Sequence, residues 1–263
     1  MSGVIRFARD ERDRRIGRLT LSNADKLGAI DVAMWGARRT LAEGFDAVGA
    51  PPLAAIIVAG EDGNFAAGAD ISEFPAFRFD ERTLRTYHEG VIAPALLALL
   101  ATEVPLVAQI EGACVGGGLE IACCCDLRIA AADARFGAPI ARLGFPMAPD
   151  ELALVLAVAG RDSAAEMLLE ARLLDAATAF QRGLVQRLAD DVAAEAWATA
   201  QRIAALPLEV ARANKRTLRL LRPSPSTAHA RRGHFDYATA GFHREGVQAF
   251  IERRAPRFED LDE

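Results

Sequence analysis

An α/β fold with parallel strand pairing is what this chain predicts, and three features of its pattern predict it. Short, almost wholly apolar and partly β-branched runs recur: LAAIIVAG (53–60), PLVAQIEG (105–112) and DLRIAA (126–131). They are the length of strands and lack the alternation of a sheet with one wet face, so they read as strands covered on both sides. Loops of glycine and small residues follow the first two, in EDGNFAAGADISEF (61–74) and in the VGGGLE stretch (115–120), and helical patterns come after both loops. Strand, loop and helix in repeated order favour parallel pairing.

Taken in order, VIRFAR (4–9) and RIGRLTLS (15–22), separated by the charged DERDR, read as a β-hairpin. Residues 31–47 fit an amphipathic helix with Asp31 as N-cap. A further helix is expected over 81–101, and another starting near Gly118. From about 147 helical signals dominate, with only GLVQRLA (183–189) reading as a strand. Beyond 190 the pattern is helical, interrupted by Pro207, Pro223 and Pro225. The division expected is therefore a core over 1–190 and a C-terminal helical region over 191–263, with no polar linker between them.

Composition narrows the classes. Hydrophobic residues make up 51% and charged residues 25%, which permits a large core and argues against disorder. The net charge of −5 leaves nucleic-acid binding to a local patch, and Arg212, Lys215, Arg216, Arg219 and Arg222 are spaced as a solvated helix face instead. The N-terminal MSGVIRFARDERDRR has no apolar signal core, and VIAPALLALLA (91–101) is too short to span a bilayer. A soluble, cytoplasmic protein without nucleic-acid or membrane partners is expected. Cys114, Cys123, Cys124 and Cys125 crowd into a dozen residues, a spacing that suits neither a disulfide framework nor a metal site. They read as small buried hydrophobes. His88, His229, His234 and His243 lack metal-ligand spacing, so no metal is expected.

The chemistry is concentrated in two loops, FAAGAD (65–70) and VGGGLE (115–120). Both follow buried strands and so belong at the carboxyl edge of the sheet, where open α/β proteins bind ligands. Small side chains let a ligand reach the backbone, and N–H groups at a helix start attract negative charge. Phosphate readings fail: the glycine run continues Leu119-Glu120 rather than Lys-Ser/Thr, and the dinucleotide spacing ends on bulky Ile121. A developing oxyanion with Glu120 as a nearby proton carrier fits better. The alternative is tight helix–strand packing, with Glu120 placed for its interaction with the helix dipole. Spacing does not choose between the two. Asp150 and Glu151 follow Pro149 and read as the acidic first turn of a helix.

FAAGADI (65–71) and IEGACVGGGLEIACCCDLRIAAADARFGAP (110–139), with LLEARLLDAATAFQRGLVQRLADD (168–191) and FIERRAPRF (250–258), resemble the crotonase, or enoyl-CoA hydratase/isomerase, superfamily over nearly the whole chain. The resemblance implies a crotonase-like spiral of ββα units, a C-terminal region that mediates homotrimers or hexamers, and an acyl-CoA thioester substrate. No cofactor is implied beyond the coenzyme A moiety of that substrate. It assigns oxyanion-hole N–H groups to Ala69 and Gly117, and acid–base work to Glu120. Substrate contacts are implied for Lys26, Leu27, Ala66, Ala67, Ile71, Gly116 and Ile140. Gly28 stands where many relatives have Asn, and Ser72 where some have a cation.

One departure is informative. Hydratases of this superfamily resemble one another in a second glutamate twenty residues after the first, and here that position is Ile140. Isoleucine moves no proton and makes the pocket drier, which is expected to raise the pKa of Glu120 and favour proton shuttling at neutral pH. The expected chemistry therefore shifts from hydration towards double-bond isomerisation or another proton transfer. A catalytically inactive acyl-CoA binder is the alternative. Some relatives carry a carboxylate further along the chain, a role open to Asp150 or Glu151 if that loop folds inward; helix capping is the simpler expectation for both.

Overall fold

A computed structural model describes residues 3–37, 45, 52–221 and 234–258. Six strands form the main sheet in the order β1 (Val4–Arg9), β2 (Ile16–Ser22), β3 (Ala55–Gly60), β4 (Leu106–Ile110), β6 (Leu127–Ala130) and β9 (Arg187–Leu188). β1 and β2 form the expected antiparallel hairpin, and the remaining pairs are parallel. A second sheet of three short strands, β5 (Ala113–Val115), β7 (Arg135–Gly137) and β8 (Leu174–Asp175), stands beside it. Two- and three-residue strands carry no readable period, and the sequence reading passes over them.

β3 is apolar throughout because both its faces are covered. Ile56 and Val58 of β3 point into the main core, while Ala55 and Ile57 face Val192, Ala196, Ala200 and Ala204 of helix α7 (Val192–Ala204). α7 is thus a layer laid directly on the sheet. Residues 32–37 are helical (α1), and Asp31 accepts the Met34 N–H at 2.8 Å as its cap; most of the expected extension to residue 47 lies outside the described residues.

The segment expected as one helix over 81–101 is helical throughout but changes winding. α2 (Glu81–Tyr87) runs into a π-helical turn (His88–Ile92) and then into α3 (Ala93–Ala101). Pro94 explains the position of the turn, since its missing N–H and its ring are incompatible with a standard bond to the Gly90 carbonyl. The wider turn rotates the helix, so that Tyr87, His88 and Ile92 all face one cavity.

The cations on α8 (Leu208–Leu220) form the expected solvated face only in part: Arg216 is exposed, Arg212 and Arg219 are half-buried, and Lys215 departs from it. Lys215 is buried, bonded to the Val104 carbonyl at 2.7 Å and to Asp126 at 2.8 Å. Arg219 donates to the carbonyls of Leu100 and Ala101, and Arg216 pairs with Glu103 at 2.8 Å. Arg219 thereby satisfies the last carbonyls of α3. Arg222 lies outside the described residues. The four cysteines are buried, and burial pushes the Cys125 thiol up to about 12, consistent with their expected packing role. Among the described residues no helix is long and apolar enough to cross a membrane.

Candidate active site

The two glycine-rich loops meet. Ala66 donates to the Ala113 carbonyl at 2.8 Å and accepts from the Val115 N–H at 3.0 Å, which joins the first loop to β5. β5 then turns into α4 (Gly117–Cys124) through Gly116, whose φ of 51° and ψ of −119° suit only glycine. A Cβ on Gly117 would lie 2.9 Å from the Trp35 ring, and one on Gly118 would lie 2.4 Å from the Ala66 carbonyl oxygen. The glycine run is therefore a requirement of close packing. That packing also presents backbone: among the described residues, neither the Ala69 nor the Gly117 N–H has an acceptor.

Both groups border a cavity of about 330 Å³. Of the residues singled out from sequence, Ala67, Ala69, Ile71, Gly116, Gly117, Glu120 and Ile140 line it. Ala66 is fully buried beneath it, in contact with Gly118. Lys26 and Leu27 do not line it but lie beside the first loop: Leu27 is exposed and accepts the Ala67 N–H at 3.1 Å. Lys26 bonds Asp70 at 2.5 Å and Ser72 at 3.0 Å. Burial works against the Asp70 charge, but Lys26 and Ser72 hold its carboxyl below the usual range. The opposite wall comes from Phe74, Leu143, Phe145 and, in the C-terminal α9 (Gly241–Ile251), Phe250. α9 can seat there because Gly246 has no side chain; a Cβ would lie 2.3 Å from the Leu143 carbonyl carbon.

Glu120, in the first turn of α4, is 5% exposed. Ile140, in the position of the absent second acid, packs partly buried against the core. The cavity nevertheless holds a second carboxylate. Glu151, in the first turn of α5 (Pro149–Leu169), makes no cap; its side chain turns inward and meets His88 Nδ1 at 2.6 Å. This corrects the expectation of a capping role, and the cause is tertiary: α5 begins opposite the π-helical turn that carries His88. Asp150 points elsewhere and does not line the cavity.

Sequence reasoning also passed over Arg78, Tyr87 and His88. The signal available was a cation inside an aromatic run, FPAFRF (74–79), which is a costly residue to bury without a purpose. Arg78 is 1% exposed, with its guanidinium 4.3 Å from the Phe74 ring centre and 3.9 Å from that of Phe145. One of its terminal N–H groups reaches the Tyr237 hydroxyl at 3.3 Å.

Burial keeps His88 uncharged, well below its ordinary 6.5, and pushes Glu151 up to about 8, with Arg78 pulling it back. In the unfolded chain these groups titrate near 6.5 and 4.5. Between 4.5 and 6.5 the folded and unfolded pairs bind equal numbers of protons, so their contribution to stability is level. Above 6.5 the folded pair alone keeps its proton, and stability falls as pH rises through about 8; below 4.5 the unfolded pair gains one and stability falls again. The melting temperature of the wild type is expected to drop between pH 6.5 and 8 relative to Glu151→Gln. Parallel courses over that range would contradict the assignment.

Comparison with known proteins gives the same placement as the architecture. The enoyl-CoA hydratase/isomerase family profile matches residues 12–261. A probable enoyl-CoA hydratase of Mycobacterium bovis is 35% identical over 257 residues, covering 94% of this chain and 96% of that one. The cyclohexa-1,5-dienecarbonyl-CoA hydratase of Thauera aromatica is 34% identical over 187 residues, covering 71% of this chain and 68% of its own. Among solved structures, an enoyl-CoA hydratase/carnithine racemase from Magnetospirillum magneticum superposes with a TM-score of 0.78 at 36% identity, covering 97% and 95% of the two chains. With both sheets and both loops arranged as described, the chain belongs to the enoyl-CoA hydratase/isomerase family of the crotonase superfamily, a family of enzymes.

Proposed function

We propose that the cavity takes the thioester end of an acyl-CoA and moves protons on the acyl chain. The N–H groups of Ala69 and Gly117 donate to the thioester oxygen, which gains charge as the Cα proton leaves. Glu120 accepts that proton and can return one to the chain. With Ile140 in place of the second glutamate, one of the two carboxylates that hold and split water in a hydratase is missing from its position. Proton relocation within the acyl chain, moving a double bond, then needs only a base, an oxyanion site and an acid. The observation that carries this reading is the placement of Glu120 and a second buried acid, Glu151, on one cavity with two N–H groups that lack acceptors. Burial favours the protonated form of Glu151, which suits it to deliver a proton.

Hydration is the second reading, favoured by the names of the curated relatives, which are hydratases. In it Glu151 replaces the missing glutamate in positioning water. Crotonyl-CoA incubated with the enzyme in D2O and analysed by mass spectrometry separates the two. Deuterium gained at carbon without addition is the expected result; a mass increase matching added heavy water would establish hydration. Homotrimeric or hexameric assembly belongs to the same proposal, since α9 and the preceding helices are the part of the chain that the family resemblance assigns to subunit contact.

A further inference from the structure

The mechanism above leaves Arg78 unused, although the guanidinium lines the same cavity as Glu120 and is almost wholly buried. Its surroundings are unusual for a structural arginine. Among the described residues no carboxylate forms an ion pair with it, and Glu151, the nearest acid by charge, is bonded to His88. Nε is buried and has no hydrogen-bond partner. Its side-chain bond among the described residues is to a phenol, Tyr237, at 3.3 Å. Phe74 and Phe145 both lie against the guanidinium, 4.3 and 3.9 Å from it and edge-on to each other. Aromatic contact stabilises the cation but offers its N–H groups no acceptor. A buried guanidinium keeps its charge, so it calls for a counter-charge that none of the described residues places beside it as an ion pair.

We infer that the acyl group bound here carries a carboxylate remote from its thioester, which pairs with the in-plane N–H groups of Arg78. The inference rests on the acyl-CoA reading of the cavity and names the substrate class within it: the mono-CoA thioester of a dicarboxylic acid. Paired, edge-on N–H donors match a carboxylate in geometry as well as charge. A simple alkyl chain would fill the space beside Phe74 and Phe145 but would leave the cation desolvated and uncompensated. The protonated state favoured for Glu151 and the uncharged state of His88 both leave that positive charge standing at neutral pH.

Calorimetry with saturated, unreactive thioesters tests this on the wild-type protein. Succinyl-, glutaryl- and adipyl-CoA would be compared with butyryl-, valeryl- and hexanoyl-CoA of equal chain length. At least one carboxylated ligand is expected to bind at least about tenfold more tightly than its neutral partner. In Arg78→Met that preference is expected to vanish while neutral ligands keep their affinity, and Arg78→Lys is expected to restore part of it. Should the variants fail to fold, the wild-type comparison decides alone. Neutral thioesters that bind as well as or better than every carboxylated one would overturn the inference and leave the acyl-CoA reading intact. If acetate tightens the neutral ligands while the carboxylated ones gain nothing, the anion is not part of the acyl chain and the inference fails. If no thioester of either kind binds, the acyl-CoA reading falls, and this inference with it.

Discussion

Glu120→Gln is expected to lower turnover by about 10²–10⁴-fold while leaving acyl-CoA affinity within a few-fold of wild type. Glutamine preserves the size and hydrogen-bonding capacity of the side chain but cannot accept a proton from carbon. Glu120 sits in the first turn of α4, three residues after the N–H assigned to the thioester oxygen, and is buried in the cavity wall. A proton carrier there addresses the carbon next to the thioester. Deuterium exchange into crotonyl-CoA is the readout for chemistry, and calorimetry with butyryl-CoA is the readout for binding. An unchanged exchange rate would remove Glu120 from the chemistry and favour the binder reading. A joint collapse of rate and affinity would assign it a structural role.

Gly118→Ala is expected to damage the site through the backbone. The new methyl would lie 2.4 Å from the Ala66 carbonyl oxygen and 2.9 Å from the Ala66 Cβ, closer than such atoms can approach. α4 must then move away from the first loop. The Val115 N–H to Ala66 bond, 3.0 Å in the wild type, stretches, and the Gly117 and Ala69 N–H groups separate. Misplacing one oxyanion donor costs about 10²–10³-fold in turnover, and overpacking at a rigid contact costs about 1–3 kcal/mol in stability. Gly36→Ala is the control, because a Cβ there meets nothing within 4 Å among the described residues and the position is helical. That substitution is expected to be neutral or to stabilise by up to about 1 kcal/mol. Equal activity in both variants would mean that the loop separation does not govern the chemistry.

Much of the fold was legible because its signals are local. β3 is an unbroken apolar run at strand length, β4 one interrupted only by Gln109, and Asp31 stands where a cap belongs. The two loops were legible for the same reason, since glycine at Gly116 and Gly118 answers to backbone geometry and close approach. What escaped depended on which surface each residue meets. The periodicity of α8 marks a polar face, but only packing decides whether Lys215 meets water or the Val104 carbonyl. An acidic first turn in α5 is equally good as a dipole partner or as a cavity wall, and the local pattern around Glu151 is the same in both cases.

The sequence by itself determined the α/β class, the place of the two glycine loops after buried strands, the family and the absence of a second acid at Ile140. The class and the loop placement follow from chain-local sterics and apolar periodicity, and the family and the missing acid follow from the resemblance of its motifs to known relatives. Only the tertiary structure decided that Ala69 and Gly117 line one cavity, that Glu151 reaches His88, and that Arg78 lies buried against two aromatic rings. Those residues come from elements far apart along the chain. The direction in which a buried polar side chain points is set by the partners that must compensate its lost hydration, and folding alone brings those partners within reach.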